Sequence, residues 1–334
     1  MTQWHIEQEH YRTLLSYFGC GDFNKAKILV FGIEEGTGGH DIESNVEART
    51  RDFGLFDVNG SLLSAINPPS REGGYWEPDG QTGGRKIREY IYQRDRILLD
   101  PKVTKGPFNE IIARISLDLE QPNDRDDYWF QLMNNDPEMA EQIRRRIQSL
   151  FQTSSEDLVH TALTDWKPLP RPDMKNWPDQ YEPSLSQFGI DSRLYEKAFS
   201  LESNREFYDG NSNYSEDAQK RLGILRNVFR TFHIPIIISL GEIQTKKRVL
   251  QHIFPEAEFS SYESKVHPAH SGLKASFYLD NHIQTIWLLP FPDRRSAEWR
   301  KRMNKEEAAG VFMLRYFQEI TQEYIKPILN ITVR

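Results

Sequence analysis

The sequence predicts an α/β domain: a short, mostly parallel four-stranded sheet with helices on both faces and a large insertion after the first strand. Three observations predict it. Four apolar runs of strand length lie at residues 27–33, 158–164, 234–241 and 285–289, with helix-patterned segments between them, as βαβ organisation requires. Each run ends on a polar or Gly-rich loop, the place where open α/β sheets collect ligand groups. Residues 3–18 and 305–325 carry apolar side chains at helical spacing, Trp4, Leu14, Leu15 and Phe18 in the first and Phe312, Leu314, Phe317, Ile320 and Tyr324 in the second.

The first run opens into Glu34-Glu-Gly-Thr-Gly-Gly-His-Asp41. Glycines at 36, 38 and 39 let backbone NH groups approach a ligand, while Glu34 and Glu35 set two carboxylates beside them. A phosphate-cradling loop is disfavoured, because no Gly-Lys-Ser/Thr ending follows and the carboxylates would repel phosphate. A dinucleotide fingerprint fits poorly too, since His40 and Asp41 stand where a spaced glycine and helix should begin. Residues 41–157 exceed a simple crossover and are expected to be an elaboration of the domain, with a Gly-, Pro- and aromatic-rich part around Tyr75 and Trp76 and helical patterns at 85–98, 107–119 and 137–151. The second run ends on Asp165-Trp-Lys-Pro168 and leads into an irregular stretch at 168–215. The third is followed by a basic amphipathic stretch with Lys246, Lys247 and Arg248. The fourth ends on Pro290-Phe-Pro-Asp-Arg-Arg-Ser296.

Composition narrows the classes. With 334 residues, 38% of them hydrophobic, the chain can bury a sizeable core within one principal domain. No stretch approaches the roughly 20 apolar residues of a membrane span, and the N-terminus lacks the layout of a signal peptide, so a cytoplasmic location and no membrane partner are expected. A single cysteine, Cys20, excludes an intrachain disulfide and any all-cysteine metal site. The net charge of −7 argues against indiscriminate nucleic-acid binding, yet cations cluster after the third and fourth runs, where Lys246, Arg294 and Arg295 would face phosphates.

Read in order, Gly32-Ile-Glu-Glu-Gly36, Thr164-Asp-Trp-Lys-Pro168, Leu240-Gly241 and Phe291-Pro-Asp293 resemble the four motifs of the uracil-DNA glycosylase superfamily. The resemblance implies a DNA glycosylase that flips a nucleotide out of the duplex and hydrolyses its N-glycosidic bond, without metal or redox cofactor and with DNA as partner. Glu34 matches the loop position of the water-orienting residue, with Glu35 and Asp41 as further catalytic candidates. Gly36 and Asp165 would meet the base, and Phe56, in Phe53-Gly-Leu-Phe56, would stack on it. Asp165 stands where the uracil-specific enzymes carry Asn. An ionised carboxylate only accepts hydrogen bonds, which suits the N4 amino group of cytosine and repels uracil O4. A further discriminator is then needed to spare ordinary cytosine. Tyr75 and Trp76 could hold a hydroxymethyl or glucosyl substituent such as modified phage DNA carries, which implies a role in antiviral defence. Arg294, Arg295 and Ser296 occupy the part of the loop that enters the duplex, and Phe291 replaces the family histidine.

Each assignment has a plainer competitor. Glu34 could cap a helix, Asp165 could pair with Lys167, and Phe56, Tyr75 and Trp76 could be core or loop anchors. His267, His270, His282 and Asp280 could hold a metal, although Pro268 breaks the helix that would present the first two together. Two other functions stay open: hydrolysis of free nucleosides or glycosides, and a non-catalytic nucleic-acid or nucleotide sensor with a glycosylase fold.

Overall fold

Strands packed under helices on both faces need apolar residues at nearly every position, and the Ile-, Val- and Leu-rich runs supply them. A computed structural model describes residues 4–37, 41–50, 106–120, 127–151, 157–182, 188–202, 207, 210, 212–266, 272–295, 299 and 306–329. Its strands are β1 (Cys20–Gly21), β2 (Ile28–Gly36), β3 (Thr161–Arg171), β4 (Ile236–Leu240), β5 (Ser260–Tyr262), β6 (Gly272–Leu279) and β7 (His282–Leu289). They form one mixed sheet in the order β1-β3-β2-β4-β7-β6-β5. The four expected runs lie in the contiguous centre, where β3, β2, β4 and β7 are parallel to one another.

The expectation of a four-stranded sheet is therefore corrected to seven strands among the described residues, with β1, β6 and β5 added antiparallel at the edges. Two features of the sequence account for β6. Ala275, Phe277 and Leu279 are buried while Ser276 and Tyr278 between them are exposed, the alternation of a strand covered on one face. Asp280 and Asn281 then turn the chain with φ of 47° and 67°, the left-handed pair of a two-residue hairpin, which joins β6 to β7.

Among the described residues, eight helices of eight or more residues pack on the sheet: α1 (Gln8–Ser16), α2 (Ile42–Thr50), α3 (Pro107–Glu120), α4 (Pro137–Ser149), α5 (Ser192–Phe199), α6 (Tyr214–Phe232), α7 (Ile243–Ile253) and α8 (Glu306–Ile320). The last continues through a π-helical turn, Thr321–Ile325, into Lys326–Leu329. Local chemistry sets several starts. Asp136 accepts from the backbone NH of Glu138 and Met139 with Pro137 in the first turn of α4, and Asp191 and Asn213 cap α5 and α6 in the same way.

Alternation along the central strands sorts the interior into two layers. Leu29, Phe31, Ile237, Ile286 and Leu288 join one apolar cluster with residues of α1, α2, α5, α6 and α7, whereas Ile28, Val30, Ile236, Ile238, Trp287 and Leu289 join another with α3, α4 and α8. The described part of the 41–157 insertion thus supplies α3 and α4 to one of the two main layers. No helix among the described residues is long and apolar enough to cross a membrane. Cys20 is buried.

Fully buried Arg221, on α6, ties these parts together. Its guanidinium donates to the carbonyl oxygens of Asp165 and Trp166 on β3, and to those of Leu15 and Tyr17 at the end of α1. Burial brings its pKa down to about 10 against the opposing charges of Tyr195, Asp165 and Tyr17, so it remains a cation at neutral pH. Arg226 does similar work at a more exposed place, donating to Ile253 and His252 at the end of α7. Arg221→Leu should leave buried carbonyls without donors and lower stability by at least about 3 kcal/mol, against about 1 kcal/mol for Arg226→Leu. Denaturant unfolding of both variants measures the contrast, and equal small losses would show that water can replace Arg221.

Candidate functional site

Parallel strands that start in register end together, so β2, β3, β4 and β7 deliver their last residues to one edge of the sheet. On β2, Glu34 pairs in register with Lys167 of β3, and a bulge then brings Gly36 opposite Arg171. On β3, Asp165 lies opposite Gly32. A Cβ on Gly32 would stand 1.7 Å from Oδ1 of Asp165, so the glycine is what allows that carboxylate to lean across the neighbouring strand.

Glu34 is not a free carboxylate in this arrangement. Its side chain is 3% exposed and takes a bidentate pair of hydrogen bonds from Nε and Nη2 of Arg171. Nη2 of Arg171 also lies 2.7 Å from Oε1 of Glu196 on α5, and Nζ of Lys167 pairs with Oε2 of the same carboxylate. The guanidinium rests over the ring of Trp177, 5.3 Å from its centroid. Burial raises the Glu34 carboxyl above its usual range, more than Arg171 and Lys167 lower it. Burial pulls Arg171 down, but the hydrogen bond and charge of Glu34, then Glu196, hold it above its ordinary value. Glu34 is therefore the member of the pair that titrates.

A second cluster sits one strand over. Lys246, on the first turns of α7, is 5% exposed and donates from Nζ to the carbonyl oxygen of Leu240 at 2.6 Å. Burial lowers its pKa to about 8, although Asp165 and Glu242 pull the other way. The expectation that Lys246 contacts DNA phosphates is corrected here: its ammonium points back to the end of β4 and toward Asp165, not to the surface. Helical spacing could not distinguish that inward turn from a solvated face. Its neighbour Arg248 is also engaged, with Ser200 and Glu202. Gly241, at φ 75°, packs against Phe291, whose ring is partly exposed at the end of β7 and whose carbonyl accepts from Nε1 of Trp299 at 2.8 Å.

The remaining expected residues divide clearly. Asp41 is exposed just before α2, and its carbonyl accepts from Nδ2 of Asn45. Gly36 is exposed, with open space where a Cβ would stand. Glu35 lies on β2, but its side chain is outside the described residues, as are Phe56, Tyr75, Trp76, Ser296, His267 and His270. Arg294 and Arg295 are exposed, and Arg295 forms a 3.0 Å ion pair with Asp293 in the same turn. Of the remaining metal candidates, His282 stacks on His233 at 4.0 Å and Asp280 faces Arg230. Among the described residues no group of three His, Cys, Asp or Glu could hold a metal ion.

Arg171, Glu196 and Arg221 are the polar residues at this edge that reading the sequence missed. For Arg171 a signal was present: Asp165, Lys167 and Arg171 are separated by even numbers of residues, the spacing that puts strand side chains on one face. Pro168 and Pro170 hid it by suggesting that the strand had ended.

Lys246 gives this edge a pH dependence. The unfolded lysine titrates near roughly 10.4, so between about pH 8 and that value the unfolded chain holds a proton that the folded chain has lost, and stability rises with pH. Lys246→Met should abolish that rise, worth about 3 kcal/mol across the window. The difference in unfolding free energy between wild type and variant, measured from pH 7.5 to 10 by denaturant titration, checks it. Parallel curves would place the ammonium in contact with water.

No family model, curated protein or solved structure matches this chain.

Proposed function

We propose that the protein is a DNA glycosylase that flips a modified pyrimidine, a hydroxymethylated or glucosylated cytosine, and hydrolyses its N-glycosidic bond to leave an abasic site. The observation that carries the reading is the placement of Asp165, opposite Gly32, and of Glu34, two positions further on, on adjacent parallel strands where β4 and β7 end beside them. The four segments that resemble glycosylase motifs are contiguous in the sheet, which supports a glycosylase-like, mostly parallel four-stranded centre within the larger mixed sheet.

In this reading the bond from C1′ to the base nitrogen breaks with its electron pair leaving on the base. Water bonds to C1′, and its proton passes to Glu34, whose charge also stabilises the oxocarbenium character of the sugar. Asp165, leaning over Gly32, accepts from the N4 amino group. Glu35 and Asp41 are the alternative carboxylates, and Gly36 leaves room for the base. Phe56 serves as the stacking ring and Tyr75 and Trp76 as the holders of the substituent. Arg294, Arg295 and Ser296 meet the DNA backbone. The chemistry needs no cofactor.

One observation favours a second reading, a nucleic-acid or nucleotide sensor without catalysis. Glu34 is bidentate to Arg171, and a carboxylate so engaged orients no water until the guanidinium moves.

Incubation with DNA containing uracil, hydroxymethylcytosine or glucosylated hydroxymethylcytosine, followed by an assay for abasic sites, separates the two. Base release from a modified cytosine is the expected result, and binding without abasic product would select the sensor. Asp165→Asn should lower release from the cytosine-type substrate by about one to two orders of magnitude, the rate equivalent of a charged hydrogen bond worth roughly 1.5 to 3 kcal/mol. An unchanged preference among the three substrates would make Asp165 structural.

A further inference from the structure

Arg171 has five donor positions and two carboxylates competing for them. Glu34 holds Nε and Nη2 from the buried side, while Glu196, about one-third exposed, approaches Nη2 at 2.7 Å from the solvent side. Glu196 is in turn paired with Lys167, which stands beside Glu34 in the β2–β3 register. The four side chains form one network, Glu34 to Arg171 to Glu196 to Lys167, whose most exposed member is Glu196. A change at Glu196 must be felt at Glu34, because the Arg171 guanidinium is shared between them.

We propose that Glu196 is a positioning residue for Glu34: by competing for the Arg171 guanidinium it keeps Glu34 from being neutralised fully by its ion pair and leaves it able to exchange a proton. The inference deepens the glycosylase reading and rests on it for the identity of the reaction, but the coupling belongs to the geometry alone. Without Glu196, Arg171 would belong wholly to Glu34, and Lys167 would be free to turn toward the same carboxylate. Both changes favour the ionised form. The other titratable and charged groups facing Glu34 are the phenols of Tyr195 on α5 and of Tyr181. Burial raises both, so they remain neutral where a carboxylate titrates, and the charge of Arg49 on α2 pulls Tyr181 the other way.

Carbon-13 NMR of the glutamate side-chain carboxyls, with Glu34 assigned from the spectrum of Glu34→Gln, reads the coupling without substrate. Glu196→Gln, a neutral isostere on a partly exposed helix face, should lower the Glu34 titration midpoint by about one pH unit. Lys167→Met should move it upward, because a cation near Glu34 is lost and Glu196 is left to draw more strongly on Arg171. In an active enzyme the acidic limb of the pH–rate profile should follow the midpoint in both variants. A Glu34 midpoint unmoved in both variants, including one accompanied by lost stability alone, would overturn the proposal. Failure to release any base would sink the glycosylase reading and leave the coupling standing, because the titration requires no DNA.

Discussion

The carbonyl oxygens along the outer edge of β3 are the constraint around which the molecule is arranged. Beyond the two-residue strand β1, nothing among the described residues pairs with that edge as a strand, yet Trp166 is fully buried there and Asp165 beside it is half-buried. A buried carbonyl without a donor costs about 1 to 3 kcal/mol, so the edge needs a substitute partner. Arg221 is that partner. Its planar fork reaches two carbonyls of the strand and two at the end of α1, joining helix, strand and α6 through one side chain. Because one of these contacts is to the backbone of Asp165, the position of that residue at the sheet edge depends on the same cation.

Charge at the carboxyl edge is handled by sharing cations among carboxylates and carbonyls. Lys246 closes on the end of β4 near Asp165, and Arg171 is divided between Glu34 and Glu196. Burial sets the direction of both shifts, upward for the carboxyl of Glu34 and downward for the ammonium of Lys246. Two groups of opposite type are thus brought closer to neutrality at one end of the sheet, an arrangement suited to proton exchange. For the glycosylase reading, Glu34 becomes a residue whose availability depends on where Arg171 sits. In the sensor reading, the same ion pair is a permanent cross-link between β2 and β3.

How much was legible in the sequence can be judged from particular elements. The runs at 27–33, 234–241 and 285–289 became β2, β4 and β7 because their apolar composition reports burial on both faces, a property of the strand itself. β6 escaped notice because Ser276 and Tyr278 dilute its hydrophobicity, and only the pairing with β7 gives it a place. Arg171 escaped because two prolines suggested an end to β3, whereas the strand accommodates both and runs on, buried, to Arg171. Lys246 was misjudged because a lysine at helical spacing has the same pattern whether it meets water or a buried carbonyl.

By itself, then, the sequence determined the α/β class and the runs that became β2, β4 and β7, because periodicity and burial are written locally in each segment. Only the tertiary structure decided which charges meet. The partner of Glu34 is 137 residues away at Arg171, and those of Arg221 include carbonyls of Leu15 and Tyr17 more than 200 residues distant. Such pairings carry no local signature, since a cation is chosen by the distance and desolvation that packing imposes and not by its neighbours along the chain.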